Sequence, residues 1–239
     1  MIRIGNFPTQ NIHPSWEEIL YKTLSFGAVE FNQQLETIDE VSICPRKENV
    51  LRVFENDLDK VKVIILGQDP YPNIQDATGL AFENGSNKKP YSLKTIYQEI
   101  LNDYPDTEPD IHHWAEQGVL LLNTALTVEV GKAGSHLHLW RPFTIELIKR
   151  LSNYKGYIWL LMGRNAVEYG RYIRPFVNIS KKSLCNLNSI SDDNTNYIVA
   201  TPHPAAEAYT GNKAGFLGSH AFYYINEILR VKNQQQIKW

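Results

Sequence analysis

Two hydrophobic periods divide this chain. Helical spacing comes first: Trp16, Ile19, Leu20 and Leu24 in residues 15–25, then Val29, Phe31 and Leu35 in 28–37, carry helix-like spacing. Val50, Leu51, Val53 and Phe54 predict another short helix over 47–57. Continuous apolar runs follow. Residues 61–66 read Val-Lys-Val-Ile-Ile-Leu, with charge ahead and Gly67 behind, as in a parallel strand buried on both faces. Similar runs occupy 119–122, 157–162 (stopped by Gly163) and 197–200. Helices are expected between and after them. One spans 92–104, with Ser92 as N-cap and Leu93, Ile96, Tyr97 and Ile100 on one face. A second spans 141–153, with Pro142 near its first turn. A third spans 219–232 through Phe222, Ile225, Ile228 and Leu229. Residues 178–196, rich in Ser, Asn and Asp, read as an exposed excursion before the last strand. Strands alternating with helices predict an α/β fold, a three-layer αβα sandwich around a central four-stranded parallel sheet. No internal repeat or low-complexity linker interrupts the chain, so one domain is expected over 1–239.

Three strand runs end in short polar signatures. The first leads into Gly67-Gln68-Asp69-Pro70-Tyr71-Pro72, the second into Asn123-Thr124, and the fourth through Thr201-Pro202 into His203-Pro204. Open α/β sheets bind ligands beyond the carboxyl ends of their strands. A carboxylate, an amide and an imidazole are thereby expected to converge on one small ligand, which points to an enzyme.

Composition narrows the class. Cys44 and Cys185 are too few for a disulfide framework, a cysteine zinc site or a four-cysteine cluster, and suit a reducing compartment. No apolar run approaches the ~20 residues of a membrane helix, and the first residues lack a signal-peptide core. An intracellular, cytoplasmic monomer without membrane association is expected, nuclear if the source is eukaryotic or a virus of such a host. The net charge of −2 argues mildly against nucleic acid as partner, although a local basic stripe is what matters there. Arg171, Arg174, Lys181, Lys182 and Lys213 are its candidates, or are ordinary solvated charges.

Taken singly, each signature has a plain alternative. Pro70 and Pro72 stiffen the loop around Asp69, as a catalytic carboxylate needs, but Asp-Pro-Tyr-Pro also makes an ordinary turn. Asn123 offers two donors and an acceptor to an amide-like heterocycle, or satisfies its own turn. His203 either donates to a developing oxyanion or caps backbone in a proline-rich turn. Phe82 either stacks on a planar ligand or joins the core. Ser135-His136 with Trp140 shows no metal spacing, and the adjacent His112 and His113 cannot both face one ligand from a regular helix, so no metal is expected.

Together the segments resemble the family-1 uracil-DNA glycosylases. The resemblance rests on Gly67-Gln68-Asp69-Pro70-Tyr71, Gly79-Leu80-Ala81-Phe82, Pro90-Tyr91-Ser92-Leu93, and the run from Trp114 through Asn123-Thr124. It continues through Ala133-Gly134-Ser135-His136 with Trp140, Leu160-Leu161-Met162-Gly163, His203-Pro204 and Gly215-Phe216-Leu217-Gly218-Ser219-His220-Ala221-Phe222. These occur in the family's order from about residue 40 onward. The resemblance implies removal of uracil from single- or double-stranded DNA, without cofactor, metal or covalent enzyme–DNA intermediate. It also implies a fold with a four-stranded sheet, and a proteinaceous DNA-mimic inhibitor as a partner. It assigns the flipped uracil to stacking on Phe82, edge recognition by Asn123, a backbone contact at Gln68, and exclusion of thymine's methyl by Tyr71. His203 would stabilise negative charge on uracil O2, and Asp69 would favour the cationic sugar and orient water.

The chain departs from the family where DNA is handled. Pro72 replaces a histidine. Ala205 and Ala208 replace two phosphate-binding serines, and Glu207 falls by count on the leucine that enters the base stack. The loop over 205–214 is also a few residues longer than usual. With Ser92 and Glu207, the candidate DNA contacts are therefore Tyr209, as an aromatic replacement for the wedge, and Lys213 with Asn212 for phosphates. The alternative is a weak wedge and preference for single strands, or a DNA-binding or processivity scaffold on a glycosylase fold.

Overall fold

The continuous apolar runs form strands, and the polar signatures follow directly at their ends. The computed structural model describes residues 2–25, 27–180 and 194–239. In chain order the helices are α1 (Glu17–Leu24), α2 (Ala28–Glu36), α3 (Tyr91–Asp103), α4 (Leu137–Tyr154), α5 (Arg164–Tyr169), α6 (Glu207–Thr210) and α7 (Ala221–Val231). The strands are β1 (Ile43–Cys44), β2 (Val63–Gly67), β3 (Val119–Asn123), β4 (Val128–Glu129), β5 (Ile158–Met162), β6 (Phe176–Ile179) and β7 (Asn196–Thr201). A parallel sheet of order β3-β2-β5-β7-β6 is flanked by helices. Its register sets Val63 opposite Ile158, Ile158 opposite Tyr197, and Phe176 opposite Asn196.

Five strands replace the expected four. The additional strand, β6, lies on the sheet edge, and three of its four residues are half-buried or exposed. An edge strand of mixed polarity lacks the continuous apolar run that marks β2 or β5, every residue of which is buried. Part of the expected polar excursion, residues 178–179 and 196, therefore belongs to strands; 181–193, with Lys181, Lys182 and Cys185, lie outside the described residues.

Three helix expectations also change. Residues 47–57 form two 3-10 turns, Lys47–Asn49 and Arg52–Phe54, because so short a run does not overcome helix nucleation alone. Ser92 is not the N-cap of α3; Pro90 is, and Ser92 is buried one residue inside the helix. The α4 helix begins at Leu137, so Pro142 stands inside it and not in its first turn. At that position proline removes one backbone donor from the helix ladder.

The chain divides into two compact units, each assembled from three stretches. The first comprises Met1–Lys60, Gly67–Asn87 and Leu121–Leu151. Its core is aromatic: Phe31 stacks on Phe143 at 5.4 Å, and Trp140 meets both edge-on at 5.7 Å. The second comprises Val61–Leu66, Lys88–Leu120 and Ser152–Trp239. Here α7 packs against α3, β5 and β7, and Phe222, Trp114 and Trp239 cluster with centroids 5.0–6.0 Å apart. Each such buried side chain contributes about 1.5–3 kcal/mol.

Candidate active site

In the first unit the site is built over a missing side chain. A methyl group on Gly67 would lie 2.4 Å from Asn123 Oδ1, 2.9 Å from Ala81 Cβ and 3.4 Å from Phe82 Cε2. The amide at the end of β3 and the ring after Ala81 therefore meet over one glycine. Asn123 is 3% exposed, while Phe82 is half-buried. Phe82 has φ = 64°, a left-handed conformation that costs a non-glycine residue about 1–3 kcal/mol. The surroundings hold it there. Ala81 N–H donates to the Leu121 carbonyl at 3.0 Å, and the Tyr71 hydroxyl donates to the Phe82 carbonyl at 3.3 Å.

The loop carrying Asp69 is pinned from β3. Thr124 donates its N–H to the Gly67 carbonyl (2.9 Å) and its hydroxyl to the Gln68 carbonyl (2.7 Å), which also accepts Ala125 N–H at 2.9 Å. Thr144 of α4 donates to the Thr124 carbonyl at 2.6 Å. Asp69 is half-buried; its Oδ2 accepts Gly134 N–H at 2.5 Å and its Oδ1 accepts Gln68 Nε2 at 3.2 Å. Charge-assisted bonds of this kind orient a carboxylate without covering it.

Beyond Gly134, Thr127 Oγ1 accepts Trp140 Nε1 at 2.7 Å and bonds His136 Nδ1 at 2.9 Å. Burial pushes the His136 pKa down, against the attraction of Glu129. The Ser135–His136–Trp140 cluster is thus a bonded core network behind Asp69. Sequence reasoning identified Asp69 and Asn123 but not the groups that aim them. Thr124 was legible beside Asn123; Gly134 stood in a matched motif without any sign of its partner.

His203 belongs to the second unit and follows β7. Its backbone is extended (φ −72°, ψ 137°), and its Nδ1 accepts Ala205 N–H at 3.1 Å. Accepting an N–H requires a lone pair on Nδ1, so the proton of the neutral ring sits on Nε2. Gly163 backs the ring: a methyl there would lie 2.7 Å from His203 Cβ and 3.2 Å from Cδ2. Met162-Gly163 thus has its physical reason in the neighbouring histidine.

The segment after His203 overturns one expectation. Glu207 is 1% exposed and turned inward; its carboxylate accepts the N–H groups of Ala214 (2.9 Å), Phe216 (2.7 Å) and Leu217 (3.0 Å). Burial raises its pKa, but the backbone bonds outweigh that and hold it below the usual carboxylate range. The side chain that falls by count on the wedge position is therefore no surface contact for DNA. Residues 208–213 are all exposed, and Tyr209 is 89% exposed on α6, before Gly211 and Asn212 turn the chain through φ = 61°. Lys213 is exposed as well.

A second buried glutamate, Glu99 of α3, receives Gly218 N–H (2.6 Å) and His220 N–H (2.7 Å). Asp103 and His220 bond at 2.5 Å beside it. These three bring potential metal-ligand atoms within 4.8 Å of one another, yet Glu99 is engaged by backbone donors and acts as an anchor for the segment. Of the expected basic stripe, Arg171 donates to the Glu168 carbonyl, and Arg174 to the Ile173 carbonyl with its guanidinium over Phe176. Among the described residues no helix is long and apolar enough to cross a membrane.

Fold and first-unit site together define a class: an α/β protein whose strand ends carry an amide, an aromatic face and an oriented carboxylate. Residues 55–230 match the model of the Uracil DNA glycosylase superfamily. The Uracil-DNA glycosylase of Yersinia pestis (strain Pestoides F) is 38% identical over 206 residues, covering 83% of this chain and 81% of its own length. The crystal structure of mimivirus uracil-DNA glycosylase superposes with TM-score 0.79 at 24% identity, covering 95% of this chain and 86% of that one. A mimivirus UNG variant in complex with UGI gives 0.78 at 24% identity, covering 95% and 88%. The Nitratifractor salsuginis UNG gives 0.61 at 21% identity, covering 92% of each chain. The structural likenesses establish the fold. The chain belongs to the uracil-DNA glycosylase superfamily, and its enzymatic class is that of a monofunctional glycosylase, a hydrolase of N-glycosyl bonds.

Proposed function

We propose that this enzyme excises uracil from DNA, hydrolysing the bond between C1′ and N1 of deoxyuridine to leave free uracil and an abasic site. The observation that carries this reading is the meeting of Asn123, Phe82 and Ala81 over Gly67, with the oriented Asp69 two residues on. A flipped uracil stacks on the Phe82 ring and offers its polar edge to the Asn123 amide. The Tyr71 ring excludes a 5-methyl group, and the Gln68 backbone N–H contacts a uracil carbonyl.

The charges decide the rest. Heterolysis sends the bonding pair onto uracil, with charge at N1 and O2, and leaves an oxocarbenium-like sugar. His203, with its proton on Nε2, is a ready donor to O2. Asp69 stabilises the cationic sugar and orients a water for attack at C1′. That water's proton passes to the carboxylate and on to solvent, and uracil is protonated from solvent. On the DNA side, the exposed Tyr209 occupies the unpaired space left by the base, and the exposed Lys213 and Asn212 meet backbone phosphates. An inhibitor protein of the kind bound in the mimivirus structure is a proposed partner, tested by titration into the release assay.

The test is uracil release from matched single- and double-stranded oligonucleotides carrying one deoxyuridine. We expect release from both, with His203→Ala lowering the rate about 10²–10³-fold and Asp69→Asn about 10²–10⁴-fold. Release confined to single strands would keep the chemistry and remove the wedge. No release from either would leave the scaffold reading, which the replacement of both loop serines by alanine favours.

A further inference from the structure

We propose that Arg52 and Glu83 are a positioning pair that fixes Phe82 as the stacking face for the base; this rests on the function proposed above. Both residues lie outside the motifs that carry the family resemblance. Glu83 is 2% exposed although it directly follows the half-buried Phe82. A buried carboxylate at that point requires a strong partner, and Arg52 supplies it. Its Nη1 donates to Glu83 Oε2 and to the Thr78 carbonyl at 3.1 Å, and its Nη2 reaches Glu83 Oε1 at 3.5 Å. One guanidinium therefore ties both ends of the 78–83 loop, a task suited to its planar fork and not to a lysine.

The same loop is clamped along its length. A methyl group on Gly79 would lie 2.1 Å from the Asn49 carbonyl and 3.1 Å from Arg52 Cβ, so the two 3-10 turns over 47–54 pack directly on it. Phe82 sits in the left-handed region at φ = 64°, which no local preference of phenylalanine supports. With the Phe82 carbonyl held by Tyr71 and the next side chain held by Arg52, the strained residue is fixed on both sides. Asn49 and Arg52 of these turns and the acid after Phe82 thereby acquire one purpose. They set the ring plane without touching the base.

The experiment compares Glu83→Gln, Arg52→Lys and Phe82→Leu, singly and with Glu83→Gln combined with Phe82→Leu. It reads kcat/KM on single-stranded deoxyuridine oligonucleotide, inhibition by free uracil, and Tm. Glu83→Gln should lower kcat/KM about 10-fold or more, within the range of a small misplacement of a reacting partner. Inhibition by free uracil should weaken in parallel, and Arg52→Lys should fall between Glu83→Gln and the parent. In the Phe82→Leu background Glu83→Gln should add nothing, because the ring it positions is gone. A folded Glu83→Gln with lower Tm but unchanged kcat/KM and uracil inhibition would overturn the pair's role, as would losses that simply add. Absence of release by the parent would overturn the excision reading itself. Parent release with a silent Glu83→Gln would overturn the positioning alone.

Discussion

Asp69 and Glu207 are both carboxylates oriented by backbone N–H groups, but they are put to opposite uses. Asp69 accepts the Gly134 N–H and stays half-buried. Glu207 takes three, from Ala214, Phe216 and Leu217, and is 1% exposed. The first arrangement fixes direction while leaving the group accessible to a cation or a water. The second consumes the group in folding a loop. Burial separates the two carboxylates more clearly than residue type does. The contrast extends to the surrounding segments. Around Gly67, Asn123, Ala81 and Phe82 pack closely, whereas the loop after His203 turns Glu207 inward and exposes Tyr209.

The severest way to break this contrast is to crowd the pocket floor. Gly67→Ala would place a methyl group 2.4 Å from Asn123 Oδ1, and neither the strand end nor the threonine-pinned loop has room to yield. Misplacing a positioned group by about 1 Å costs about 10²-fold, so uracil release should fall at least that far on both single- and double-stranded substrates. Circular dichroism establishes that the variant folds. A folded Gly67→Ala with parental release would show that Asn123 does not read the base.

A smaller effect, selective for the duplex, is expected from the loop. Base–aromatic stacking is worth about 1–3 kcal/mol, so Tyr209→Ala should slow release from duplex about 5- to 150-fold. Single strands need no wedge, and release from them should change less than about 2-fold on the same reasoning. Equal losses on both substrates would remove Tyr209 from the wedge role and assign it a general one.

The division between what the sequence predicted and what it hid follows the same line. Continuous apolar runs predicted β2, β3, β5 and β7 because a strand buried on both faces has only one kind of neighbour. The edge strand β6 was hidden because it is short, includes the exposed Asn178, and buries fully only Ile179. Asp69, Asn123 and His203 were legible as polar residues ending apolar strands. Their supports were not: Gly134 lies 65 residues from Asp69, and nothing local in a glycine announces which carboxylate its N–H will meet. Glu207 was misread for a related reason. Its position by count was taken to fix the direction of its side chain, but that direction depends on three amides seven to ten residues on.

The smallest expected effect sharpens the comparison most directly, because it tests whether Glu207 acts as an ion. Its folded pKa lies below the usual carboxylate range, as backbone N–H bonds prevail over burial. A depressed carboxylate pKa contributes stability fully present above the unfolded value of about 4.3, and lost as pH falls through the folded value. Glu207→Gln keeps the shape and one carbonyl acceptor but no charge. It should therefore lower stability at pH 7 by about 1.5–3 kcal/mol, the range for hydrogen bonds to a charged group. The gap between parent and variant should close as pH drops below about 4, measured by thermal unfolding across pH 3–8. A gap of constant size would mean that shape and not charge secures the loop.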